Sequence, residues 1–134
     1  MNETASYRAS SILDTWVNHD WSDGLQLESV DDFTEIHVQT RNSIYEITAI
    51  DGFAREVLVR GGRFFPERTL AHLAGSSLGC GFLKLGGIYV GFSLEFVTSE
   101  ETIITTRIRS IRVYTPPDPI ENEARSHRRF HKTL

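Results

Sequence analysis

The chain has 134 residues, 40% of them hydrophobic and 24% charged, with a formal net charge of −4. These are the proportions of one ordered domain with its own core and exclude a disordered chain. The mildly negative charge with scattered bases argues against general nucleic-acid binding, and the longest apolar-rich stretch, Gly86 to Val97, is too short and too polar for a bilayer span.

Residues 1–32 form an acidic N-terminal segment. Eight acids from Met1 to Glu35 (Glu3, Asp14, Asp20, Asp23, Glu28, Asp31, Asp32 and Glu35) stand against one base, Arg8. The start lacks a basic patch followed by an apolar run, so no signal peptide is expected. Ser11 to Val17 carries Ile12, Leu13, Trp16 and Val17 on one helical face, with a Ser11/Asp14 capping pattern. The segment reads equally as one short helix or as an extended arm pinned by Trp16 and Trp21.

Residues 33–115 read as an antiparallel β domain. Ile36, Val38 and Thr40 alternate with His37, Gln39 and Arg41, and Tyr45, Ile47 and Ala49 alternate with Glu46 and Thr48. Turns are expected at Asn42, Asp51-Gly52 and Gly61-Gly62, because Asn and Gly tolerate positive φ. The stretch Pro66 to Gly75 is ambiguous. Its proline and glycine bracket a short helix as well as they bracket a strand.

Gly86-Gly87 turns the chain into Ile88 to Phe96, which alternates strictly. Ile88, Val90, Phe92, Leu94 and Phe96 are expected in the core, with Tyr89 and Glu95 pointing away. Thr102 to Ile108 and Ile111 to Tyr114 complete the sheet, with a bulge near Arg109-Ser110 where the parity slips. Residues 116–134 read as a Pro-marked basic tail. The expected fold is all-β and mostly antiparallel, a small barrel or compact sandwich of six to eight strands.

Chemistry-bearing motifs are sparse. The run Ala74 to Gly81 has glycines but lacks a Gly-Lys-Ser/Thr ending and a following helix, so it reads as a bend that lets strands approach. His127 and His131 share helical spacing, but two histidines beside Arg128 and Arg129 do not make a metal site. Cys80 is the only cysteine, so it forms no internal disulfide and has no basic neighbour to activate it. Neither a catalytic set, a metal site nor a cofactor is expected, and the default location is the cytoplasm.

Arginine accounts for twelve of the fourteen bases. Its planar fork suits phosphate, carboxylate and salt bridges alike. Alternate turns of a meander gather at one end of a sheet, so the Asn42 and Gly61-Gly62 turns should bring Arg41, Arg60 and Arg63 together. Three guanidiniums repel unless a carboxylate or an external anion sits among them. A protein carboxylate, such as Asp31, Asp32 or Glu67, is expected within hydrogen-bond reach of at least one of them, with a bound external anion as the alternative. The candidate anion- or ligand-binding residues are Arg41, Arg60, Arg63, Ser76 and Ser77.

Four strings, Thr40 to Ile47, Leu58 to Glu67, Gly75 to Gly79 and Thr105 to Val113, resemble a group of small uncharacterised bacterial β proteins. The resemblance implies that these segments form one unit and brings no activity with it. The leading expectation is a non-enzymatic β module acting through a protein partner or as a homo-oligomer. The alternatives are a small-ligand or anion-binding barrel, and an enzyme whose residues meet only in the fold.

Overall fold

The computed structural model describes residues 22–78 and 82–116. The segment 11–17, Cys80 and the tail with His127 and His131 lie outside the described residues. The strands are β1 (Gly24–Gln26), β2 (Glu35–Thr40), β3 (Ile44–Asp51), β4 (Glu56–Gly61), β5 (Phe65–Ser77), β6 (Leu83–Leu85), β7 (Gly87–Tyr89), β8 (Ser93–Val97), β9 (Thr102–Ile104) and β10 (Ile108–Tyr114). A 3-10 turn, Leu27–Ser29, follows β1.

All pairings are antiparallel. One eight-stranded sheet runs β10-β2-β3-β4-β5-β8-β9, with β6 also on β5, and β1 pairs β7 separately. The expected turns fall at Arg41-Asn42, Gly52 to Arg55, Gly62 to Phe64 and Gly86. The ambiguous stretch is strand: β5 satisfies its backbone against β4, β6 and β8, and no helix could offer those partners.

Of the two expected forms, the compact sandwich fits. The outermost strands, β9 and β10, are consecutive in the chain, and no ladder joins them among the described residues. The start of β10 instead reaches the residues just before β8: Ile108 N–H donates to Phe92 O at 2.9 Å and its carbonyl accepts from Gly91 N at 2.9 Å. Ile108 also pairs with Thr40 on β2. The sheet therefore folds over a common core without closing into a barrel.

That core follows the period-two pattern. Ile36 and Val38, Tyr45, Ile47 and Ala49, Val57 and Val59, Ala71 and Leu73, and Leu94 and Phe96 all face inward and are buried. Tyr45, Phe65 and Phe96 form an aromatic cluster, with ring centroids 5.4 to 6.5 Å apart. Leu27 is fully buried and Leu25 packs on the same cluster, so among the described residues β1 and the turn after it join the core ahead of Phe33. The bulge expected near Arg109-Ser110 is present, as a register shift between Ile108 and Ser110.

The alternating run Ile88 to Phe96 is not one strand. It breaks between β7 and β8, where Gly91 takes φ 93° at no Cβ cost. Ile88, Phe92, Leu94 and Phe96 are buried as expected, but Val90 is only partly so. Tyr89, expected on the outside, is buried: its backbone N–H donates to Ser76 Oγ and its hydroxyl accepts from Gln26 Nε2 at 3.2 Å. β7 carries it away to β1, so the parity of β8 does not apply.

Candidate functional site: the arginine-lined end

The tight turns at Asn42 and Gly62 lie at the same end of the sheet, since Tyr45 pairs with Gly61 across β3 and β4. Gly61 and Gly62 have φ of 138° and 60°, a conformation that glycine adopts without strain. The turn between them and Phe65 closes over Tyr45 and leaves Arg63 and Phe64 exposed.

A cavity of about 380 Å³ opens there, lined by Asn42, Ser43, Tyr45, Arg63, Phe64, Ile104, Thr105 and Thr106. A second, also about 380 Å³, is lined by Arg41, Ser93, Thr106, Arg107, Ile108 and Arg109. Thr106 belongs to both. Two adjoining recesses thus carry four arginines and no carboxylate in their walls. None of the four forms an ion pair with a described acid.

The remaining polar groups of the first recess point the same way chemically. Tyr45 is 4% exposed, yet its hydroxyl has no hydrogen-bond partner among the described residues. Thr34 Oγ1 is the only fully buried side-chain polar atom without a partner among the described residues, so the Tyr45 oxygen is not sealed in the core and opens onto the recess. Thr105 is already engaged: its Oγ1 accepts from Leu94 N at 2.9 Å and donates to Thr106 O at 2.7 Å, carrying the β8 pairing past the end of β9. Guanidiniums, a phenol, Ser43 and Asn42 make a donor-rich surface. Neither recess is lined by His, Asp, Glu, Cys or Lys, so Tyr45 is the one side chain in either wall of a type that commonly moves a proton.

The sequence-derived candidates divide. Arg41 and Arg63 come to this end, in adjoining recesses. Arg60 sits one strand position away, on the outer face, and pairs with Glu46 directly across β3 and β4. Its Nε donates to Glu46 Oε2 at 2.9 Å, and Nη2 reaches the same oxygen. A protein carboxylate does neutralise one of the three arginines, but it is Glu46 and not Asp31, Asp32 or Glu67. Phe33 N donates to Ala49 O near the far end of β3, which puts Asp31 and Asp32 roughly 17 Å along the strand from the Asn42 turn.

Ser76 and Ser77 do not line either recess. They are buried in β5, where Ser76 Oγ donates to Gly87 O at 2.8 Å and accepts from Tyr89 N at 3.1 Å. That hydroxyl ties the two-stranded sheet to the large one. Ser77 pairs with Ser93, which lines the second recess. Arg107, Arg109, Tyr45 and Thr106 were not foreseen as site residues; the sequence pattern put Arg107 and Arg109 on one face of a strand. Arg107 precedes β10 and is not on a strand face, and it meets Arg41 because Ile108 pairs with Thr40.

Elsewhere, His37 lies 3.6 Å from Glu35 Oε2, both partly exposed on the outer face of β2, and Arg55 Nε donates to His72 Nε2 at 3.4 Å. No group of three or more His, Cys, Asp or Glu able to hold a metal ion occurs among the described residues. No described helix is long and apolar enough to cross a membrane. In comparisons with protein-family models, curated proteins and solved structures, the chain matches none.

Proposed function

We propose that this protein is a binding module without a reaction of its own, which holds an oxyanion of a protein partner, a carboxylate or a phosphate, at the arginine-lined end. The observation that carries the reading is the charge of the two recesses: Arg41, Arg63, Arg107 and Arg109 with no described carboxylate to offset them. Guanidiniums gathered without a counter-charge repel one another, and an incoming oxyanion relieves that repulsion while accepting their hydrogen bonds. The unpartnered Tyr45 hydroxyl adds a neutral donor beneath Arg63.

The test is a titration with sodium sulfate at constant ionic strength, followed by backbone amide NMR. Sulfate stands in for the oxyanion. Amides of Asn42, Ser43, Arg63 and Thr106 should shift and saturate, and the response should be lost in Arg63→Ala and kept in Arg60→Ala. Equal shifts in the parent and in Arg63→Ala would overturn the reading.

A second reading, self-association, draws on the opposite end of the sheet. Asp31, Asp32 and Asp51 gather there beside the exposed Phe33 and Phe53, because the residues before β2 pair with the end of β3. A second copy of the chain could supply the oxyanions from that end. Sedimentation at rising protein concentration tests it: a mass that stays monomeric removes the reading.

A further inference from the structure

We infer that the edge of β10 that has no neighbouring strand among the described residues is the docking strand for an extended acidic segment of a partner protein, which adds to the sheet as one more strand. The inference goes beyond the binding-module reading and stands independently of the anion recesses.

β10 is the longest strand at a margin of the main sheet and pairs with β2 alone. On its other edge Ile108 is bonded to Gly91 and Phe92, but from Arg109 to Tyr114 the backbone N–H and C=O groups on that edge have no described partner, which is a template for a further strand. The other margins are less suited. β9 has only three residues, and the half of β5 that pairs on one side only carries Pro66, which cannot donate to a ladder.

The inward face of β10 is unfinished. Ile111 pairs with Val38 and Val113 with Ile36, so both lie on the core side of the sheet. Val38 and Ile36 are fully buried, whereas Val113 is 45% exposed and Ile111 only partly covered. An added strand with apolar residues facing inward would continue the core over them. The outward face asks for something different. Arg112 lies opposite His37, and Tyr114 stacks at 4.7 Å on the same histidine, around a groove of about 400 Å³ that also includes Gln39 and Ile44.

Charge selects the occupant. Residues 107–114 hold Arg107, Arg109 and Arg112 and no acid. Two copies pairing β10 against β10 would bring six arginines into one junction, which like-charge repulsion opposes. A strand with acids on its outward face meets Arg112 instead. The pattern of the ligand is thereby set: apolar inward, acidic outward, period two.

The probe is a synthetic peptide of alternating Val and Glu, fluorescently labelled and followed by polarisation on the full chain. It should bind, and a Val/Lys counterpart should bind at least about tenfold more weakly. Arg112→Glu, an exposed substitution, should invert that preference. Two further peptides, N-methylated on alternate residues, separate a ladder from a simple charge contact: one set should lose binding and the other keep it, since only alternate N–H groups of a strand face a given neighbour.

Equal binding of both methylated peptides to the parent level overturns the inference, as does equal binding of the Glu and Lys peptides. A stable dimer whose amide protection falls on β10 overturns it too. The sulfate titration reports separately: peptide binding without sulfate shifts removes the anion recess and keeps this strand, and the converse result does the opposite.

Discussion

β5 and β10 belong to the same sheet and differ in how completely the fold uses them. The second half of β5 is paired on both edges, by β8 and β6, and Leu73, Gly75, Ser76 and Ser77 are all buried. β10 is paired on one edge, and after Ile108 every residue keeps some or much of its surface in water. β10 is the more apolar of the two, with Ile108, Ile111, Val113 and Tyr114 among its seven residues, so apolar composition does not explain why it is the less buried. What separates them is the number of neighbours. A strand with partners on both edges is scaffold, and a strand with one partner keeps backbone capacity for something else.

The largest expected effect lies on the scaffold side. Phe96 is fully buried in β8, against Phe65 and Tyr45. Phe96→Ala should cost about 3–5 kcal/mol, a large share of a small domain's stability. Val113→Ala on β10 should cost well under about 1.5 kcal/mol, because the side chain is half in water already. Urea melts of the two variants measure the contrast. Similar losses would mean that β10 is covered in the folded protein and that the comparison fails.

Next in size is Gly75, where β5 bends between its pairing with β4 and its pairing with β6 and β8. Its φ is 147°, and a Cβ there would overlap the Lys84 carbonyl oxygen. Gly75→Ala should destabilise by about 1–3 kcal/mol from backbone strain, with the overlap adding to it. A Gly75→Ala variant whose urea midpoint equals the parent's would place the bend elsewhere.

Ser76→Ala ranks third. The substitution leaves the Tyr89 N–H and the Gly87 carbonyl without their shared hydroxyl inside the core. A cost of about 1–3 kcal/mol is expected. The sulfate-induced amide shifts at Arg63 should be unaltered, since Ser76 lines neither recess. Loss of those shifts at full stability would assign Ser76 to the site and not to the scaffold.

The inward faces of β2, β3 and β4 were legible because each strand is continuous, and alternation then maps directly onto in and out. Ile88 to Phe96 kept the same alternation across a break, since Gly91 turns the chain while Phe92 returns to the core. Periodicity alone cannot see a glycine used that way. Pro66 and Gly75 suggested a helix as readily as a strand, because local signals do not include the three strands that pair with β5. The convergence of Arg41 and Arg63 was legible from turn parity. The Glu46 partner of Arg60 was also within reach, as the residue opposite it in a hairpin turned at Asp51-Gly52. Arg107 and Tyr45 were not: Tyr45 reads as core by alternation, and Arg107 meets Arg41 only because Ile108 pairs with Thr40, which the local sequence does not show.

The smallest expected effect has the most informative sign. Arg60 and Arg63 flank one turn and are both exposed, yet only Arg60 has a described carboxylate partner. Arg60→Ala should lower stability by at most about 1 kcal/mol, as exposed ion pairs usually do after screening by solvent. Arg63→Ala removes one of four like charges at this end. At low salt it should leave stability unchanged or raise it, by no more than about 0.5 kcal/mol. Salt at physiological strength screens exposed charges beyond about 8 Å, so the gain should shrink as salt is added, while sulfate should stabilise the parent more than the variant. Thermal midpoints of both variants, in low salt and in sodium sulfate, measure these signs directly. If Arg63→Ala lost more stability than Arg60→Ala, Arg63 would already have a carboxylate of its own chain as partner. The end of the sheet would then be a neutralised salt-bridge cluster, and the site would have to be sought along β10 alone.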